Sequence, residues 1–394
     1  MKIAYLVGDG MGDYPVEVLG SRTPLQAADA PNMRRIAAAG QLRMVQTAPD
    51  SLPPGSDVCN LALMGYNAAE NYTGRAAIEA AGMGLDLAPD DVAFRCNLVT
   101  VTDDVMIDHA SDHITTAEAH QIIEALAAEL ADDAIRFAPG VSYRHLLIWQ
   151  NGPSDCTTEP PHEILERRIG PHLPSGPGAE AVRELMARSR AILEAHPVNR
   201  ARIAAGKRPA SQIWLWGQGK AMQLASYREL YGLSGSMITA VDLLRGLAVL
   251  AGLEVIDVEG ATGWIDTNYE GKAAAALDAL KRNDFVYVHV EAPDECGHRG
   301  DAALKTQAIS EFDARIVGPI WRGLEAMGEP YRLILTMDHR TPVSLRGHSR
   351  EPVPMAVLEG PVGAVTAERA FDETVNDGQM QCFVFDWVRE LLRG

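Results

Sequence analysis

The sequence predicts an α/β protein: a mainly parallel sheet flanked by helices, interrupted by a smaller inserted α/β domain. Three observations lead there. The chain opens as strand, glycine-rich loop and helix; the same rhythm returns after residue 284; and the stretch between is far richer in proline and glycine turns.

Taking the elements in order, Lys2–Val7 is an apolar run of strand length that stops at Gly8-Asp9-Gly10-Met11-Gly12-Asp13, and Ala30–Ala39 reads as a helix with Pro31 in its first turn. The middle contains Gly152-Pro153, Pro160-Pro161, Gly170-Pro171 and Pro174–Gly178, followed by a basic helical stretch, Arg183–Arg202. We expect this insertion at residues 88–228, covering a substrate, with edges near Leu85–Asp91 and Ala225–Gly235; residues 1–87 and 229–394 then form one domain in two parts. Late in the chain, Asp284–Val290 is β-branched and aromatic, Asp301–Leu324 is helix-compatible, and Tyr331–Met337 is another apolar strand.

Composition narrows the function. At 394 residues with 47% apolar content, the chain buries a sizeable core and suits two or three domains. Its 53 acidic against 35 basic residues give a formal charge of -18, which opposes nucleic acid and anionic membrane surfaces as partners but leaves a small anionic substrate open. The five cysteines are dispersed and form no Cys-x-x-Cys pair, so neither a disulfide framework nor a zinc finger is expected. The first apolar run is too short for a signal peptide and no run could span a bilayer, which points to the cytoplasm.

Four segments carry chemistry. Asp9 follows the first strand, where open α/β sheets place ligands. A dinucleotide fingerprint would need glycine at position 13, which is Asp13, so metal ligation stands against a solvated turn carboxylate. Ser56 sits on Pro53-Pro54-Gly55 ahead of a helix, either as an ordinary N-cap or as a nucleophile that needs an activator. Asp294 and His298 are spaced to share one helical face, and Asp338-His339 follow another strand, with His348 nearby. Carboxylates with imidazoles at three strand ends suit manganese, magnesium or zinc. His109, His113, His120, His145, His162, His172, His196 and His289 lack such pairing and read as core or surface residues, with His109 and His113 as candidate substrate contacts.

Together, Asp9, Pro54-Gly55-Ser56-Asp57, Asp294-x-x-x-His298, Asp338-His339 and His348 resemble the ordered ligand set of the alkaline phosphatase superfamily. The nearest resemblance is to archaeal-type cofactor-independent phosphoglycerate mutases. It runs through Asn71–Arg75, Asp91–Asn97, Trp214–Lys220, Gly260–Gly263, Asp266–Lys272 and Val288–Asp294. The resemblance implies an alkaline-phosphatase-like sheet and two divalent ions, manganese favoured over magnesium or zinc, with no 2,3-bisphosphoglycerate. One ion would be held by Asp294, His298 and His348, the other by Asp9, Ser56, Asp338 and His339. Ser56 would accept phosphate from 3-phosphoglycerate and return it to the other hydroxyl, with Arg75, Arg95 and Lys220 as basic groups for the substrate.

Two departures bear on specificity: Thr336-Met337 stands where the family has Leu-Pro, and Glu351 where it has Asp. The segment from His196 through Pro209 also resembles a subgroup proposed to be homoserine kinases. That alternative, like a phosphohydrolase, uses the same serine and metals, but the sequence has no Walker-type or kinase glycine loop for a phosphate donor.

Overall fold

The computed structural model describes residues 1–393, which divide into two compact units: 1–72 with 224–393, and 73–223. The second unit begins earlier than the expected residue 88 because the helix Arg75–Gly82 packs its alanines against the sheet of that unit, through Ala76, Ala80, Ala93, Leu146 and Ile148.

The first unit is built on an eight-stranded sheet in the order Cys382–Phe383, Gln41–Gln46, Val353–Gly360, Tyr331–Thr336, Lys2–Gly8, Phe285–Val290, Gly235–Ile238 and Glu254–Val255. The last five strands are mutually parallel, and Val353–Gly360 runs antiparallel to both its neighbours. The central strands are buried at almost every position, as strands covered on both faces must be, which is why their sequences are continuous apolar runs without alternation. Tyr5 and Tyr287 lie on adjacent strands with ring centroids 5.0 Å apart.

Helices start where the sequence signals them. Pro31 opens Pro31–Ala39, and Gly40 follows its last turn. The stretch after Asp301 is helical as expected but not uniform: Ala302–Phe312 passes through a π turn, Asp313–Val317, into Gly318–Met327. Pro319 lacks the N–H that an unbroken α-helix would direct to Arg315, and the wider turn accommodates this. No helix among the described residues is long and apolar enough to cross a membrane.

The second unit mixes helices and strands as expected, but its five-stranded sheet is antiparallel throughout. Asp91–Thr102 pairs with Val105–Asp108, Arg144–Gln150 and Gln212–Lys220, and Ile135–Ala138 adds to Arg144–Gln150. Its main core joins Phe94, Leu98, Leu147, Trp214 and Leu215 of the sheet to apolar side chains of the helices Thr116–Leu130 and Ala179–Ala195.

Candidate active site

Parallel strands deliver their following residues to one end of a sheet. In the first unit that end carries Asp9 after Lys2–Gly8, Asp338 and His339 after Tyr331–Thr336, and the helix Ala292–Arg299 after Phe285–Val290. On this helix, the i to i+4 spacing sets His298 Nε2 3.2 Å from Asp294 Oδ2. The loop before Val353–Gly360 adds His348, whose Nε2 is 3.0 Å from His298 Nε2 and 3.6 Å from Asp294 Oδ1. His339 Nε2 lies 3.4 Å from both Asp9 Oδ1 and Asp338 Oδ2, and 3.2 Å from Ser56 Oγ. All seven residues expected to form the metal and nucleophile site therefore belong to this one unit.

Ser56 is the first residue of the helix Ser56–Leu63, and Gly55 holds the N-cap position, so the ordinary capping role for this serine does not apply. One turn on, the Asn60 amide donates to Ser56 O at 2.9 Å and to Asp338 Oδ2 at 2.8 Å, while Tyr287 donates to Asn60 Oδ1 at 2.6 Å. This asparagine thereby fixes the nucleophile helix to a neighbouring carboxylate. Gly10 donates its N–H to Asp338 Oδ1 at 3.0 Å with φ of +58°, and a Cβ there would come within 2.5 Å of Asp294 Oδ1 and of Thr341 Oγ1. Only glycine fits at this point.

The donor set suits divalent cations. Two groups of ligand atoms converge, Asp9 with Asp338 and His339, and Asp294 with His339 and His348, so His339 is common to both. Asp9 Oδ1 is buried without a hydrogen-bond partner. Burial, followed by repulsion from Asp338 and Asp294, pushes the Asp9 carboxyl well above its usual range. Burial acts the same way on Asp294, but its contacts with His298 and the neighbouring imidazoles outweigh it and hold this carboxyl below its usual range. The hydrogen bond to Asp294 raises His298 to about 9, whereas burial and the adjacent His339 push His348 down to about 4. His298 Nδ1 donates to Arg346 O at 3.0 Å, which turns Nε2 toward His348. Two imidazole nitrogens facing each other at this separation need a proton or a cation between them.

Three supporting residues escaped the sequence reading. The sequence reads His289 as a core or surface residue, yet its Nε2 lies 2.9 Å from Asp9 Oδ2, and burial keeps it neutral by lowering it to about 4. The available signal was a histidine inside an otherwise apolar strand, since a buried polar side chain needs a partner. Asn60 is the second. The third, Lys305, is fully buried and donates to Gly12 O at 2.8 Å, Asp13 Oδ2 at 2.9 Å and Thr341 O at 2.7 Å. It joins the loop after the first strand to the loop after His339. Lys305→Met should destabilise this unit by about 3–5 kcal/mol, because Asp13 stays buried without its counter-charge. Urea denaturation followed by circular dichroism checks this, and an unshifted midpoint contradicts it.

The expected substrate cations lie in the second unit. Arg75 and Arg95 meet around one carboxylate, with Nε atoms 3.4 and 2.8 Å from Glu79. Arg95 is almost fully buried and stacks over Trp216, 4.2 Å from the ring centre, which makes it also a structural partner. Lys220 is exposed at the end of its strand. His109 and His113 both lie edge-on to Tyr143, and a chain of rings leads from His109 through His162 to Trp216.

Residues 37–199 match the family model of the 2,3-bisphosphoglycerate-independent phosphoglycerate mutases. A protein of that name from Methanosarcina mazei is 49% identical over 384 residues, 96% of this chain and 96% of the relative. Among solved structures, a Pyrococcus horikoshii protein is 28% identical with a TM-score of 0.80, covering 100% of this chain and 97% of the other. A cofactor-independent phosphoglycerate mutase from Thermoplasma acidophilum is 26% identical with a TM-score of 0.65, each chain covered in full. The strand-end carboxylates and imidazoles of the present protein thus sit in a chain that belongs to the 2,3-bisphosphoglycerate-independent phosphoglycerate mutase family.

Proposed function

We propose that this protein interconverts 3-phosphoglycerate and 2-phosphoglycerate, a glycolytic isomerisation, by passing the phosphoryl group through Ser56 without 2,3-bisphosphoglycerate. The observation that carries this is the position of Ser56 Oγ, 3.2 Å from His339 Nε2 at the point shared by both ligand groups. Asp9, Ser56, Asp338 and His339 would hold one ion, and Asp294, His298 and His348 the other, manganese being favoured over magnesium or zinc. When bound, such ions lower the proton affinity of a serine hydroxyl and offset charge on a transferring phosphoryl group.

The chain's own part begins at Ser56. Having given up its hydroxyl proton, its oxygen forms a bond to phosphorus as the bond to the 3-oxygen of the substrate breaks, and that oxygen takes up one proton in place of the one Ser56 lost. The glycerate turns, its 2-hydroxyl oxygen loses a proton and attacks phosphorus, and Ser56 Oγ leaves. The N-terminal turn of the Ser56–Leu63 helix offers backbone N–H groups that favour negative charge on the phosphoserine. Asn60 and Tyr287 keep that helix in register with Asp338.

Arg75, Arg95 and Lys220 are the proposed partners of the substrate's phosphate and carboxylate. Arg75→Ala should lower kcat/KM by about 10- to 100-fold, the worth of one charged hydrogen bond. Arg95→Ala should lose stability as well, because it removes the nearer of the two arginines on Glu79 and the guanidinium stacked over Trp216. Steady-state kinetics beside thermal unfolding separates the two, and wild-type kcat/KM in Arg75→Ala removes that residue from the substrate site. The function itself is tested by supplying 3-phosphoglycerate with manganese and no bisphosphoglycerate, coupled to enolase. Phosphoenolpyruvate formation supports the mutase. Release of inorganic phosphate alone, or phosphorylation of homoserine from ATP instead, overturns it.

A further inference from the structure

Thr341 has no place in the ligand sets above, yet it touches both. It is fully buried, and its hydroxyl lies against Asp294 Oδ1 and 3.1 Å from His339 Nδ1. A carboxylate oxygen only accepts, so the single hydroxyl proton goes to Asp294. The contact with His339 must then run the other way, from Nδ1–H to the threonine oxygen. That choice leaves the lone pair of His339 on Nε2, the nitrogen that faces Asp9, Asp338 and Ser56.

The threonine is held on its other sides too. Its N–H donates to Gly12 O at 3.0 Å and its carbonyl accepts from Lys305. A Cβ on Gly297 would come within 2.4 Å of that carbonyl, so the ligand helix approaches Thr341 as closely as glycine allows. The hydroxyl is thus fixed by the backbone on both sides of it, between the Asp294 carboxylate and the His339 imidazole that lies within reach of both ligand clusters.

We propose that Thr341 is a positioning residue that sets the His339 tautomer and couples the two ion sites through one hydroxyl. This rests on the two-ion reading given under Proposed function. The hydroxyl locks Asp294 and His339 in one relative orientation, so displacement of either ligand disturbs the other, and both sites share the cost of its loss. Partners of this kind typically contribute about 10- to 100-fold to metal affinity.

The test has two parts. Nitrogen-15 NMR of histidine-labelled, metal-free wild-type protein should find His339 protonated on Nδ1 when neutral; protonation on Nε2 overturns the proposal. This part needs no variant, so a poorly folding substitution leaves it intact. Calorimetric titration with manganese alone should then find both sites about 10- to 100-fold weaker in Thr341→Val. Thr341→Ser, which restores the hydroxyl, should bind within a few-fold of wild type, and the KM for 3-phosphoglycerate at saturating manganese should stay unchanged in both. Equal manganese affinity in wild type and Thr341→Val overturns the role of Thr341 while leaving the ion reading standing. Wild-type protein that binds no manganese overturns the ion reading, and the coupling with it.

Discussion

Ser56→Ala is expected to lower mutase turnover by at least about 10⁴-fold, in line with the loss on removing a covalent nucleophile elsewhere. Two other hydroxyls at the site are already engaged: that of Thr341 lies between Asp294 and His339, and that of Tyr287 is bonded to Asn60. The fold should survive, because Ser56 is only partly buried and supplies no cap to its helix. Binding and chemistry should separate, with 3-phosphoglycerate still bound within a few-fold of wild type. Turnover of the alanine variant within about tenfold of wild type would contradict the phosphoserine route.

The second large effect concerns His339. Because its ring nitrogens lie within reach of both clusters of ligand atoms, His339→Ala should lose at least the ion it would hold with Asp9 and Asp338, weaken the other, and lower turnover by at least about 10³-fold. His298→Ala should be milder in binding: it is half-exposed at the edge of one group, and Asp294 and His348 remain. Metal analysis after dialysis, alongside turnover at rising manganese, distinguishes them. Full occupancy in His339→Ala would mean that the two groups do not share this imidazole.

Much of this site was legible because it obeys a simple geometric rule. A parallel strand ends where its polar residues must begin, so Asp9 and Asp338-His339 stand out directly after apolar runs, and the Asp294–His298 spacing declares a shared helical face. Ser56 was less legible. Its turn was plain, but whether it capped a helix or faced ligands depended on Gly55 taking the cap position, which is a backbone property. His289 is hard to recognise because its strand looks like uninterrupted core, and its partner Asp9 follows a strand 280 residues earlier in the sequence.

The inserted unit was harder to delimit. Proline and glycine clusters marked its interior, but the helix Arg75–Gly82 carries no sign of which sheet its alanines cover, so the boundary could not be placed from local pattern. Its antiparallel pairing was likewise hidden, since the long strand Asp91–Thr102 reads as a buried run in either arrangement. Lys305 shows the same limit from the other side. On a helix, a lysine normally signals a solvated face, and only the loops that meet around it reveal three buried acceptors.

The most direct test of the central claim is mass spectrometry of the protein quenched with acid during turnover of 3-phosphoglycerate, reading the peptide that contains Ser56. Phosphate should appear on Ser56, at a level that falls once substrate and product are removed, with no ATP or bisphosphoglycerate present. Phosphate on another residue, or turnover with Ser56 unmodified at every quench time, would contradict it.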